Sequence, residues 1–524
     1  MVERHALERP DHLALVVPRE WDDTGITQAD RLTYAQIWHR VQQLMTGLDA
    51  NGIGEGDRVL LAFPLCADLY ALTLALFARG ATAIFVDSSM GKKKAKRAIA
   101  GSGAKVVVSV NALLKYRWMI GALRRIPLKF SLDKAGWGVR RLDELAHEEP
   151  DMSLAPLARK PDDEALITYT SGSTGDPKGA DRNHGLLIEQ VMTFPELATL
   201  TQDYVAFPAF PVVALGGLCL GTTTVLPPMN FARPDEVNPA AVFNEMAKWD
   251  VNNFTAPPIY AQRLAEYVIE NNLEFKALQL GVGGAPVSRH LCTLLTKAFP
   301  NTEVHVVYGS TEAEPIAHLD ISEVLSRQVD AYPAGNVASV TNVAIVDVPE
   351  PAPALGAAGI APLRVGQGQV GELVASGKHV NRRYVDNEAA THANKLYEVD
   401  GTVWHRTGDL AYQDSDGLIW LVGRLNYVIH RDGEAVHPFP IEIALDELPE
   451  VHRAAFVATA KHPAGVVVIV LAASSERSAA VSRVAEVLET FELADVAVRV
   501  LGEMPVDSRH NSKVDRVTLR GLIG

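Results

Sequence analysis

Short β-rich runs alternate with segments of helical spacing along much of the chain, and this alternation restricts the fold more than any other feature. RVLLAF (58–63), ATAIFVD (81–87) and KVVVSV (105–110) are such runs. Parallel strands need long crossovers, usually helices, so the pattern predicts an α/β fold. Ile37, Val41, Leu44, Met45 and Leu48 recur at helical spacing after Thr33, a candidate cap, and Gly52 and Gly54 end the pattern. Further strand-like runs, ALITYT (165–170), TTTVLP (222–227), ALQLGVGG (277–284) and EVHVVYG (303–309), end in turns rich in Gly, Pro or Ser. Ligands bind at such strand ends in α/β sheets. After a turn-rich stretch at 405–424 the pattern restarts as a compact unit, with IEIALDEL (441–448), AAFVATA (454–460) and GVVVIVLAA (465–473). The expected organisation is a large N-terminal domain, 1–423, of parallel or mixed sheets with helices, and a small α+β domain, 424–524.

No charged residue occurs from Tyr204 to Ala232, a length sufficient to span a bilayer. Pro208, Pro211, Pro227 and Pro228, with Gly216, Gly217 and Gly221, would break a spanning helix and strand its polar backbone in lipid. A buried wall around an apolar ligand is the better reading, and Phe207, Phe210, Val213 and Gly217 are its candidate pocket residues. The net charge of −14 lacks the positive field that captures phosphate backbones, which disfavours nucleic-acid binding. Cys66, Cys219 and Cys292 are too few and scattered for a disulfide framework or a Cys-rich metal site. The charged N-terminus does not read as a signal peptide. The expected location is the cytoplasm, peripheral at most to the inner membrane face.

The chemistry concentrates in Thr170-Ser171-Gly172-Ser173-Thr174-Gly175-Asp176-Pro177-Lys178-Gly179, directly after a strand-like run. Amides, hydroxyls and small glycines make a cradle for phosphate oxygens, which implies a nucleotide. The spacing is neither that of a Walker A loop nor that of a dinucleotide-binding fingerprint.

With this loop the chain resembles the adenylate-forming superfamily of acyl-CoA synthetases, luciferases and peptide-synthetase adenylation domains. GGAPV (283–287), YGSTEAEP (308–315), TGD (407–409) and GRLNYVI (423–429) match further family segments in order, and Lys513 stands where the family has its catalytic lysine. The resemblance implies activation of a carboxylate by ATP with Mg²⁺. It places Lys178 and the loop at the phosphates, Glu312 on the metal, and Tyr308, Gly283, Gly284 and Ala285 at the adenine. Gly309 and Thr311 belong to the same nucleotide-binding set, with Asp409 at the ribose and Arg424 at the ribose and phosphate. Each role is chemically sound, because an anion attacking a phosphate needs cations and amides around it. As ordinary structural residues, Glu312 would be a helix-start carboxylate, Asp409 a turn residue and Lys513 a solvated charge.

Arg509-His510-Asn511-Ser512-Lys513, with FVDSSMGKKKAKRAI (85–99), is similar within that superfamily to the olefin-biosynthesis β-lactone synthetases. That subgroup implies a second step in which the β-hydroxyl of a long-chain 2-alkyl-3-hydroxy acid attacks its own activated carbonyl, with His510 as candidate base or orienting group. A long-chain acyl-CoA ligase using coenzyme A is the alternative, and a non-catalytic nucleotide sensor is an alternative of another class. One charge feature stands outside the resemblance. Residues 91–140 contain 13 Lys or Arg and a single acid, Asp133, leaving −26 on the remainder. Within it, 111–130 reads as a basic amphipathic helix that docks on an anionic membrane or on a neighbouring hydrocarbon-pathway enzyme. An ordinary helix with a core-facing apolar side is the plainer alternative.

Overall fold

The computed structural model describes the chain except for residues 87–89, 171–175, 195–202, 328–330, 351, 474 and 508–512. In the N-terminal part, Arg58–Ala62, Thr82–Val86, Val106–Ser109, Leu128–Ser131 and Glu164–Thr170 lie parallel, in a seven-stranded sheet closed by the antiparallel strand Lys178–Asn183. Their central residues, such as Val59, Leu60, Ile84, Val107 and Ile167, are apolar because both faces are covered. Val59 and Leu61 enter one core, beneath the helices Tyr34–Ala50 and Ala67–Ala78, while Leu60 enters the other, beneath Lys92–Gly101. The expected helix start is present: the Gln36 amide donates to Thr33 Oγ1 at 3.3 Å, and the Thr33 amide donates to Gln36 Oε1 at 2.9 Å.

The largest sheet changes character midway. Leu13–Asp22, Thr223–Val225, Val205–Pro208, Asn253–Ala256, Gln279–Gly283 and Glu303–Ser310 run parallel, over a core that includes Phe254, Leu280 and Val306. Glu303–Ser310 then turns through Thr311 and Glu312 into the antiparallel strand Ala313–Asp320. Antiparallel pairing continues through Tyr332–Val337, Ile419–Arg424 and Val403–Gln413. In the C-terminal segment, Val451–Val457, Val466–Leu471 and Ala497–Leu501 form a separate three-stranded sheet. Phe456, Val467 and Ile469 pack with the helices Pro438–Asp446 and Arg477–Thr490, whereas Ala455, Val457 and Val468 pack with Leu519 of Arg516–Ile523.

Two expectations are corrected. The stretch 405–424 is an antiparallel hairpin rather than a run of turns. Its polar cluster occupies only the connection, where Asp414 Oδ1 accepts the amides of Asp416 and Leu418 at 2.9 Å. The stretch 111–130 is not one amphipathic helix. It breaks into Asn111–Leu114, a 3₁₀ turn Lys115–Trp118, Gly121–Arg125 and the strand Leu128–Ser131. Gly121 and Pro127 interrupt the helix, and sheet pairing with Val106–Ser109 takes up the end. No helix among the described residues is long and apolar enough to cross a membrane.

Candidate active site

The site lies where the large sheet passes from parallel to antiparallel. Gly283 ends its strand so close to the neighbouring one that a Cβ would stand 2.5 Å from the Val307 carbonyl oxygen, and Gly284 follows with φ +81°. Only glycine fits this sequence of close approach and left-handed backbone. The adjacent turn carries Thr311 and Glu312, so Glu312 is a hairpin-turn carboxylate and not the start of a helix.

Across the sheet, Asp409 and Arg424 are register partners on neighbouring antiparallel strands. Arg424 Nε lies 3.1 Å from Asp409 Oδ1, and the Tyr308 hydroxyl donates to Asp409 Oδ2 at 2.7 Å. Burial, followed by the charge of Asp409, pushes the Tyr308 phenol well above its usual range, so it remains a neutral donor. Arg424 also donates to the Thr407 carbonyl at 2.9 Å. Asp409 is thereby fixed by both neighbours, and each carboxylate oxygen keeps a lone pair for further donors.

A second polar layer surrounds Glu312. The Tyr384 hydroxyl donates to Glu312 Oε1 at 2.9 Å. Lys178, buried at 7% exposure, sits 3.4 Å from Asn394 Oδ1 and 5.4 Å from the Tyr384 ring centre. Lys395 lies 5.7 Å from the same centre and donates to the Asn381 carbonyl. Burial lowers both lysines, Lys395 to about 7, and the charge of Glu312 opposes the shift in each. His405 is driven well below its usual range by burial and by Lys395, and Asn394 supplies a carbonyl 3.3 Å from its Nδ1. Sequence reasoning missed Tyr384, Asn394, Lys395 and His405. No motif or period in 381–405 marks them, and they reach Lys178 only through tertiary contact.

A cavity of about 780 Å³ adjoins these groups. Phe210, with Val213 and Gly217 of the helix Pro211–Leu220 that follows it, lines its apolar part, and Gly283, Gly284, Gly309, Thr311 and Glu312 line its polar end. Lys513 reaches this cavity from the C-terminal segment. It is exposed, and its amide donates to Asp507 Oδ1 at 2.9 Å while its carbonyl accepts from the Asp507 amide at 2.8 Å. Phe207 is a correction. Strand alternation turns its side chain into the central core, away from Ala206 and Pro208, which do line the cavity. Ala285, Tyr308, Lys178, Asp409 and Arg424 lie outside the lining itself. Thr170 closes its strand in register with Lys178, so the phosphate-loop segment departs and returns beside that lysine. Ser171, Gly172, Ser173, Thr174, Gly175 and His510 lie outside the described residues.

The arrangement offers a hard carboxylate oxygen, buried cations and an apolar chamber in continuity, a set suited to a magnesium nucleotide meeting an apolar acid. Residues 2–385 match the family described as AMP-binding enzyme. Olefin beta-lactone synthetase from Xanthomonas campestris pv. campestris is 27% identical over 98% of this chain and 95% of its own length. The protein of that name from Stenotrophomonas maltophilia is 28% identical with the same coverage. Feruloyl-CoA synthase from an Amycolatopsis species is 30% identical over 81% of this chain and 80% of its own. Among solved structures, an amide bond synthetase from Marinactinospora thermotolerans superposes with a TM-score of 0.80 at 21% identity, covering 100% of this chain and 99% of that one. O-succinylbenzoate coenzyme A synthetase from Bacillus subtilis, solved with ATP and magnesium, does so with a TM-score of 0.77 at 20% identity, covering 99% and 98%. This chain therefore belongs to the AMP-binding enzyme family and is an adenylate-forming, AMP-producing ligase.

Proposed function

We propose that the enzyme activates a long-chain 2-alkyl-3-hydroxy acid and closes it to a β-lactone. In the first step a carboxylate oxygen bonds to the α-phosphorus of ATP, and pyrophosphate leaves. In the second, the β-hydroxyl oxygen attacks the acyl carbon, its proton passes to a base, and the C–O bond to AMP breaks. Tethering the nucleophile to its electrophile removes the entropy of a second encounter.

The observation that carries this reading is similarity along almost the whole chain to proteins named olefin beta-lactone synthetase. The apolar chamber ending at Glu312 and Lys513 supports it. In this reading Asp409, oriented by Tyr308 and Arg424, holds the ribose hydroxyls. Lys178 and Lys513 offset the phosphate charge, with Lys513 carried by a mobile lid, 424–524, against the body, 1–423. Glu312, held by Tyr384, is the carboxylate for Mg²⁺, which when bound supplies positive charge to the phosphates. His510 takes or orients the hydroxyl proton. Phe210, Val213 and Gly217 contact the acyl chains.

Coenzyme A thioester formation is the second reading, favoured by the feruloyl-CoA synthase match. Incubation of a 3-hydroxy acid with ATP and Mg²⁺, without coenzyme A, separates the two. The expected products are lactone and AMP. Adenylate without a cyclic product, converted to thioester once coenzyme A is added, selects the ligase. Adenylate formation unchanged in Lys513→Ala would remove that lysine from the first step.

A further inference from the structure

The basic window at 91–140 folds into a surface that the activation chemistry does not use. Its apolar residues divide into two sets. Leu114, Leu123 and Ile126 complete the core beneath the N-terminal sheet, together with Ala98. Trp118, Met119 and Trp137 instead face outward, at 57%, 78% and 79% exposure. The two tryptophans come from separate segments, yet their ring centres lie 5.5 Å apart. Arg117 staples them. Its buried guanidinium donates to the Leu114 carbonyl at 2.8 Å and the Trp137 carbonyl at 2.6 Å, and lies 5.1 Å from the Trp118 ring centre. A buried arginine thus holds an apolar ridge in water, where it gains nothing from burial.

Cations border the ridge. Helix Lys92–Gly101 packs on Gly121–Arg125, and Lys92, Lys93, Lys96, Arg124 and Arg125 all face solvent. None of these five forms an ion pair with a carboxylate among the described residues. The window carries +12 on a chain whose remainder carries −26; Arg97, Lys105 and Arg140 are paired with Asp176, Asp57 and Glu144, so these five solvent-facing cations are the ones that attract an anionic surface.

We propose that this face docks the enzyme on an anionic lipid bilayer, with Trp118, Met119 and Trp137 seated at the interface and the neighbouring cations on the headgroups. Tryptophan favours that depth because its ring is apolar and its N–H polar. Contact is interfacial, since no helix among the described residues is long and apolar enough to span. A single-stranded nucleic acid also pairs cations with aromatic rings, but it needs an open ring face for each base. Here the rings pack against each other, and Arg117 occupies the space near one of them. The proposal stands apart from the lactone reading, because docking requires neither ATP nor substrate.

The test is co-sedimentation of the full chain, without nucleotide, with phosphatidylcholine vesicles that contain or lack phosphatidylglycerol. Binding is expected only to the anionic vesicles, at low salt, and lost at high salt. Each of Lys92→Gln, Lys93→Gln, Arg124→Gln and Arg125→Gln should weaken it about five-fold, and Trp118→Ser with Met119→Ser about ten-fold or more. Adenylate formation on a soluble short acid should be unchanged in these variants, which shows that they fold. No binding at low salt, binding indifferent to the variants, or capture of a single-stranded oligonucleotide with none of the vesicles would overturn the proposal.

Discussion

Two ion pairs, one in the C-terminal segment and one in the large sheet, differ in what surrounds them. Glu442 and Arg516 are sealed in the C-terminal segment, at 6% and 4% side-chain exposure, with Arg516 Nη2 donating to both carboxylate oxygens at 2.6 and 2.7 Å. Both groups are also bonded locally: Glu442 Oε1 accepts the Phe456 amide, and Arg516 Nη1 donates to the Phe456 carbonyl. Asp409 and Arg424 are more open, at 20% and 34%, and each Asp409 oxygen keeps a lone pair beyond its bonds to Tyr308 and Arg424. The same chemistry is closed within the protein in one place and, under the proposed function, left open to a ligand in the other.

The largest expected effect follows from breaking the sealed pair. Arg516→Ala leaves Glu442 buried and uncompensated and should cost about 3–5 kcal/mol of stability, measured by denaturant unfolding. A Glu442→Met, Arg516→Leu double variant should recover most of that loss, because an apolar replacement removes both charges together. If the double variant is as unstable as the single, the pair contributes more than charge compensation.

The open pair should give the inverse result. Asp409→Asn keeps an acceptor for Tyr308 but removes the charge, so pyrophosphate exchange into ATP should fall by about 10- to 100-fold. Stability should change by about 1 kcal/mol or less. A large fall in the unfolding midpoint with unaltered exchange would invert the comparison.

The smallest effect concerns pH. Asp446 neighbours the sealed pair, and burial, then the charge of Glu442, pushes it up to about 7. Its folded pKa lies above the unfolded value of about 3.9, so between these values the folded state binds more protons. Its contribution is therefore fully present below the unfolded pKa and is lost as pH rises towards 7. Asp446→Asn should flatten the decline in thermal midpoint between about pH 4 and 7. An unchanged slope would assign the decline to other groups.

Much of the architecture was legible because it rests on local periodicity. Thr33 with Gln36 marks a helix start by chemistry that needs no distant residue. Val59 and Leu60 alternate between two cores as strand geometry requires. The same local logic failed at 111–130, where helical spacing yielded to sheet pairing of Leu128–Ser131. It failed again at Phe207, whose apolarity was legible but whose facing was set by the neighbours of its strand. In the candidate site, motif residues separated by a hundred positions, Tyr308 and Asp409, do meet. Tyr384, which bonds Glu312, and Lys395, which shares the Tyr384 ring with Lys178, carried no motif.

From its sequence alone, this protein had its α/β class, its nucleotide-handling segments and its uneven charge already decided, since each depends on residue type, order or short-range spacing. Tertiary structure alone decided which polar groups share a buried layer, which apolar residues border the cavity, and that Trp118 and Trp137 stand together on the surface. Burial and long-range proximity set those outcomes, and neither is a property of a residue's neighbours in the chain.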